Sequence, residues 1–445
     1  MNSKERIKAA IRHEETDRVP IDVGSTGVTG INLIAYSNLL KYLNLTDIKP
    51  KIFHTWSQIP EISDTILDLF HSDTVTLPRH KMSLGIANER FKEWKYPDGT
   101  LCLVPEDYNP NVNDSGDFEW FENGIRIAEA PAEGTHGFTL FHHPLKNAST
   151  TKEIDEWFDH YEGNFLARIH VSDEEIKWAD GYAKKLIGKT NRAVVSDYFA
   201  TVLENAQGIL GWDTTYMHMI AEPKIASYFF DRLTNEIIVG LKKYLKNIGK
   251  YIDVFLVADD LGHQRGPMMK MEDYKKFIYP CHKQIFQTIH DYSEASILFH
   301  TCGSIKEYIP TLIDMGVDCL NTIQTDAENM NPNELKSEFG KDITFWGGGV
   351  DSHRVLPFGT SKQIYEDVKY RLQILSKDSG YIFSSIHNIL GDVPPGNIVA
   401  AFSAAFELGN NKDLLNSNSS QMIKLLNESD YWKHPLEYLN KISTD

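Results

Sequence analysis

The sequence predicts an α/β protein folded as a single (β/α)8 TIM barrel, and three observations carry that reading. Short apolar runs alternate with helix-spaced segments along most of the chain, the pattern of parallel strands joined by crossover helices. Eight such runs can be counted over 445 residues, the number that closes a barrel. The chemically active side chains follow the apolar runs directly, where a barrel has its mouth. An open doubly wound sheet is the alternative that the same alternation allows.

The C-terminal half is the clearest. Ser296 to Cys302 is a strand-like run ending at Gly303, and Ser304-Ile-Lys-Glu307 is a capping-box pattern for a helix through about Met315. Cys319 to Gln324 is the next strand, followed by Asn331-Pro332, a cap with proline at the first helical position. Ile343 to Gly347 and Tyr381 to Ile386 are two more strands. Ile364, Val368, Leu372 and Leu375 lie at helical spacing between them. A last apolar helix runs from Asn397 to about Leu408. Upstream, Arg192 to Tyr198 and Ile252 to Asp259 are strands, and Arg18 to Gly24 and Thr74 to Leu77 supply the remaining two.

The segment 91–143 breaks this rhythm. Tyr96-Pro97-Asp98-Gly99 and Asn123-Gly124 are hairpin signals between strand-like runs. The expectation is a single barrel domain over 1–445, with 91–143 as an antiparallel β insertion in its N-terminal half. The tail from Asn410 on is expected to be helical and polar.

Composition narrows the function. Asp plus Glu is 62 against 45 Lys plus Arg, a net charge of −17, which disfavours nucleic acid and anionic membrane as partners. Four scattered cysteines do not make a disulfide scaffold and suit reduced thiols. The N-terminus is a polar amphipathic helix without the apolar core of a signal peptide, and no run of 18 apolar residues occurs. A cytoplasmic enzyme is expected.

The sharpest local feature is Phe299-His300-Thr301-Cys302-Gly303. Side chains alternate along a strand, so His300 and Cys302 face the same way at the strand's end. An imidazole and a thiolate so placed suit a soft tetrahedral ion such as Zn²⁺. Two ligands are not a site. His387, at the end of the last strand, is the first choice for a third, a residue that could equally hydrogen-bond a neighbour or substrate without metal. Cys319, near the start of its strand, and Cys281, in a helical stretch, compete less well. Asp259 and Asp260 follow an apolar strand and suit ligand orientation or proton transfer, with helix capping by Asp260 as the plain alternative. Gln264, Gln324 and Asp351 also fall at strand ends. Gly347-Gly348-Gly349 lacks a phosphate-loop pattern and implies close packing, and His142, His143 and His290 are expected at the surface.

These residues together resemble the uroporphyrinogen decarboxylase superfamily. The resemblance is carried by Arg18-Val19-Pro20, Asp259-Asp260-Leu261-Gly262-His263-Gln264, His300-Thr301-Cys302-Gly303, Gly316-Val317-Asp318, Gly348-Gly349-Val350-Asp351, His387-Asn388-Ile389 and Asp392-Val393-Pro394-Pro395-Gly396-Asn397, and is strongest over 250–405. It implies a (β/α)8 barrel and one of two chemistries: metal-free decarboxylation of a porphyrinogen, or zinc-dependent methyl transfer between a corrinoid protein and a thiol or other acceptor. The decarboxylases carry an arginine-rich motif where this chain reads Asp22-Val23-Gly24-Ser25-Thr26-Gly27-Val28-Thr29-Gly30, without arginine. The methyltransferases carry His-x-Cys and a later Cys. His300 and Cys302 match the first two, and His387 stands where the later Cys would be.

The resemblance therefore implies a zinc-dependent methyltransferase, with Zn²⁺ on His300, Cys302 and His387. Its methyl group would pass between methylcobalamin on a separate corrinoid protein and a small-molecule donor or thiol acceptor. Asp259 and Asp260 would be catalytic, with Gln264, Gln324 and Asp351 at the cofactor. A metal-independent lyase acting on a carboxylate, and a non-catalytic tetrapyrrole- or corrinoid-binding barrel, are the competing readings.

Overall fold

The computed structural model describes residues 1–417 except Met82, 132–136, Glu162, Arg168 and Phe199. The polar tail expected beyond Asn410 lies outside the described residues from 418 on.

Seven strands form one parallel sheet: β1 (Thr74–Leu77), β2 (Ala193–Asp197), β3 (Val254–Ala258), β4 (Ser296–His300), β5 (Cys319–Asn321), β6 (Thr344–Trp346) and β7 (Tyr381–Ile382). Each neighbours the next in chain order. All seven lie within expected runs, because strands buried on both faces read as continuous Val, Ile, Leu and Phe. The eighth position is filled by 20–22. Ile21 bridges Phe383 in parallel, the Asp22 N–H donates to the Phe383 carbonyl at 2.8 Å, and the Asp73 N–H donates to the Ile21 carbonyl at 2.7 Å. The two sheet edges are thereby joined through one short segment, the arrangement of a (β/α)8 barrel. Pro20 offers no N–H, and the Ile21 N–H goes to the Asp73 carboxylate at 2.9 Å, so this strand is reduced to a bridge.

Asp73 also binds Arg6 and Arg18, which gives the early Arg18 a scaffolding role. The N-terminal helix Ser3–Ile11 is capped by Asn2 and Glu5. Its Ile7, Ala10 and Ile11 pack on Val195, Leu256, Leu298, Cys319, Trp346 and Ile382 and fill one end of the barrel interior. The other end is left for polar groups.

Two antiparallel sheets lie between β1 and β2. Phe91–Lys95 pairs with Leu101–Pro105, and Asn111–Val112, Phe118–Glu122, Ile125–Ala130 and Thr139–Leu140 form a second sheet. Asn123 and Gly124, with φ of +50° and +78°, make the tight turn. Tyr96, Val104, Tyr108, Phe118 and Phe138 form part of an apolar cluster of their own.

Helix starts agree less well. Asn331 accepts from the N–H groups of Asn333 and Glu334 at 2.9 and 3.4 Å, as expected. The Ser304 capping box is not formed. The chain enters a 3₁₀ turn at Lys306–Tyr308, and Pro310 at the first turn of Ile309–Asp314 begins that helix instead.

Candidate metal centre

His300 ends β4 and points into the barrel, in register with Ala258 of β3 and Asn321 of β5. Cys302 follows two residues later on the same side. The loop after β7 brings His387 across the mouth, with the two imidazole centroids 5.3 Å apart. His300 Nε2 lies 3.5 Å from Cys302 Sγ, and ligand atoms of His300, Cys302 and His387 all fall within 4.8 Å of one another. Bond lengths near 2.05 and 2.3 Å in a tetrahedron put a nitrogen and a sulfur about 3.6 Å apart, so the His300–Cys302 spacing fits zinc.

The surroundings decide which atoms face that point. Asn321 Nδ2 donates to the Trp346 carbonyl at 2.8 Å, so its Oδ1 is the acceptor for His300 Nδ1–H at 2.5 Å. His300 Nε2 is left as a lone-pair donor, the arrangement that orients metal-binding histidines. His387 Nδ1 is held in the same way by Asn388 Oδ1.

Protonation follows burial. The His300 pKa is lowered by burial, and that of His387 by burial and then by the charge of His300, so both rings are neutral near pH 7. The Cys302 thiol is pushed well above its usual value by burial, and then by Asp260 and Glu204. A cation at this point supplies the charge that would reverse that shift, so the donor set fits a divalent soft ion.

The two adjacent acids separate. Asp259 is fully buried behind the strand, where it accepts from the N–H groups of Val202, Leu203 and Glu204 at 2.7, 3.0 and 2.9 Å and contacts His282 Nε2 at 2.8 Å. It caps the helix Leu203–Leu210, the role that the plain alternative reading gave to Asp260. Asp260 faces the mouth, accepting from the Cys302 N–H at 2.8 Å with Oδ1 4.0 Å from His300 Nε2.

Gln324 accepts from the Gly303 N–H at 2.8 Å and donates to Gln264, which donates to the Asp326 carbonyl. These glutamines brace the loop carrying Cys302. The Asp351 carboxylate accepts from the N–H groups of His353 and Arg354 and from the Arg354 guanidinium. Cys281 is buried against the Phe277 carbonyl, and Cys319 lies deep at the start of β5. Gly347 and Gly349 are packed as expected: a Cβ would meet the Thr322 carbonyl at 2.6 Å and the Phe383 ring at 2.4 Å.

A cavity of about 410 Å³ opens beside the triad, with Asp260, Glu204 and Gln207 on the barrel side and Ile127, Phe138 and Leu140 on the antiparallel side. His143, expected at the surface, lines it and bonds the Gly208 carbonyl at 2.9 Å. A second cavity includes Cys302 and His387 on the other flank. The residues missed in sequence are Asn321, Glu204 and His143. Only Asn321 had a local signal, a polar residue at a strand end.

Fold and site define an α/β protein with a barrel-type parallel sheet and a His300–Cys302–His387 cluster whose spacing is compatible with a metal ion. Residues 200–408 match the family model described as uroporphyrinogen decarboxylase (URO-D), and this segment is similar to that family. Among solved structures it is similar to a methyltransferase from Methanosarcina mazei, at 14% identity over 92% of this chain and 98% of that one, with a TM-score of 0.57. A weaker likeness is to native xylanase 10B from Thermotoga maritima, at 9% identity over 54% of this chain and 81% of that one, with a TM-score of 0.34. No curated protein sequence matches the chain. No helix among the described residues is long and apolar enough to cross a membrane.

Proposed function

We propose that the protein is a zinc-dependent methyltransferase that moves a methyl group between methylcobalamin on a partner corrinoid protein and a small-molecule donor or thiol acceptor. The observation that carries this reading is the convergence of His300, Cys302 and His387 within 4.8 Å at the barrel mouth, with both imidazoles neutral. When bound, zinc would supply Lewis-acid charge that lowers the pKa of a thiol or polarises a methylated heteroatom. His300 and Cys302, with His387 as third ligand, would hold it.

The other groups have separate tasks. Asn321 fixes the His300 tautomer. Asp260, whose side chain is one-third exposed, is placed to hold a proton between the triad and the cavity walled by Ile127, Phe138 and Leu140. Gln264 and Gln324 set the Cys302 loop. The segment 91–143 serves as an insertion that walls the substrate cavity with Ile127, Phe138 and Leu140, and its apolar face keeps water from the reacting group. The corrinoid partner would dock over the mouth.

The lyase reading needs cations to hold a substrate carboxylate. Neither cavity flanking the triad has Lys or Arg among its described lining residues, and Asp22 stands packed against Trp346 and Thr74 where the decarboxylases carry arginine.

Metal analysis tests the proposal. Purified protein is expected to hold one zinc per chain, with loss in His300→Ala and Cys302→Ala. Protein without zinc, or metal content unchanged in both variants, would overturn it.

A further inference from the structure

Of the two cavities beside the triad, the second is the one whose lining includes Cys302 and His387 themselves. Its volume of about 410 Å³ is that of a small-molecule site. Leu356, Pro357 and Phe358 reach it from the loop after β6, and Ile389, Leu390 and Val393 from the loop after β7. The space is apolar on two walls and has the triad at one end.

The walls are preformed. Asn397 Nδ2 donates to the carbonyls of Leu356 and Gly359 at 2.8 and 3.1 Å. The Ile389 N–H donates to the Gly30 carbonyl at 2.9 Å, and its carbonyl accepts from the Asn32 N–H at 2.8 Å. The polar side chains of the lining are already engaged: His353 with Asp326, Gln324 with Gly303 and Gln264, and Asn388 with His387. No Lys or Arg is among the described lining residues, and Asp392 is exposed at the edge. A charged chain entering this space would shed its hydration without a partner to replace it, whereas an alkyl or aryl chain gains by leaving water.

We infer that this cavity holds the body of the small-molecule reactant, and that this body is an uncharged apolar chain whose sulfur or other heteroatom meets the triad. The inference rests on the methyltransferase reading for the reactant's role, and on the cavity alone for its chemical class. The heteroatom end would lie against Cys302 and His387, and the chain would run between the two apolar loops. Phe358 is 78% exposed although it lines the cavity, so its ring can be removed without opening the core.

The test compares three thiols of one shape. 3-Methylbutane-1-thiol, 3-mercaptopropionate and 2-(dimethylamino)ethanethiol end in an isopropyl group, a carboxylate and a protonated amine. Each is titrated calorimetrically into the full chain as purified, with a phosphine as reductant. The alkyl thiol is expected to bind at least fivefold more tightly than either charged one. Phe358→Ala and Leu390→Asn are expected to weaken the alkyl thiol by at least threefold with zinc content unchanged. A smaller preference, tighter binding of a charged thiol, or no binding of the alkyl thiol would overturn the inference. So would an alkyl preference that Phe358→Ala, a surface change, leaves intact. Zinc content, measured on the same sample, keeps the two readings apart. Zinc-bound protein without the alkyl preference sinks the apolar reactant alone, and zinc-free protein that shows it sinks the metal reading alone.

Discussion

His300 Nδ1–H is bonded to Asn321 Oδ1 at 2.5 Å, and that bond leaves His300 Nε2 facing Cys302 Sγ at 3.5 Å. The amide is itself held by the Trp346 carbonyl, so the tautomer of His300 is set two strands away. Replacing Asn321 with Leu removes the acceptor and keeps the volume. Loss of such an outer partner weakens metal binding by about 10–100-fold. Zinc competition with a chromophoric chelator should show that loss in Asn321→Leu, with smaller change in Asn321→Asp, which keeps an acceptor. An unchanged zinc affinity in Asn321→Leu would remove Asn321 from the centre.

Asp259 and Asp260 are neighbours with opposite consequences. Asp259→Ala strands three buried N–H groups and His282, and removing a buried charged partner costs about 3–5 kcal/mol. Urea unfolding should record that drop. Asp260→Asn sits at a partly exposed edge and should leave the midpoint within about 0.5 kcal/mol of the parent, while methyl transfer falls by about 10²-fold or more if it handles a proton. The reverse pattern would exchange their roles.

The separation of the two aspartates shows where sequence reasoning stopped. Alternation could have placed them. Ala258 faces inward beside His300, so Asp260 does too, while Asp259 turns outward to the helices. The strands were legible because a barrel buries both faces of each, and His300 and Cys302 because one strand carries both. Asn321 needed the register of β4 on β5. The cavity was beyond reach, because His143 and Phe138 meet Glu204 and Asp260 only through the placement of the antiparallel segment on the mouth. Ser304 failed for another reason: its motif is correct, but Pro310 moves the helix start downstream.

His71 stacks on Phe406, with ring centroids 3.6 Å apart, and its pKa is held down to about 4 by burial and then by Arg18. An unfolded histidine titrates near 6.5. Above that pH neither state is charged and the residue is neutral to stability. Between about 6.5 and 4 the unfolded chain takes the proton and the folded chain does not, so stability falls as pH falls. The slope is at most about 1.4 kcal/mol per pH unit and is reduced by the solvent that reaches the ring. His71→Asn tolerates the φ of +53° and cannot titrate. Its melting temperature should be lower at pH 7, for want of the stack, yet decline less steeply from pH 6.5 to 4.5. Parallel curves would show that His71 is not the group responsible.

Zinc affinity should itself depend on pH with a sign fixed by the ligands. The Cys302 thiol is raised by burial and by Asp260, so it is protonated through pH 7–8, whereas the His300 and His387 rings are lowered and already neutral there. A ligand must shed its proton to bind metal. Each zinc bound should then release one proton, from Cys302, and the affinity should rise about tenfold per pH unit across that range. At zinc a hundredfold above its dissociation constant the folded state should gain about 2.7 kcal/mol, visible as a higher unfolding midpoint. Cys302→Ser should lose most of this gain and its steep pH dependence together. An affinity that is flat with pH in the parent protein would mean that the thiol is not the ligand, and that Asp260 or another carboxylate holds the ion.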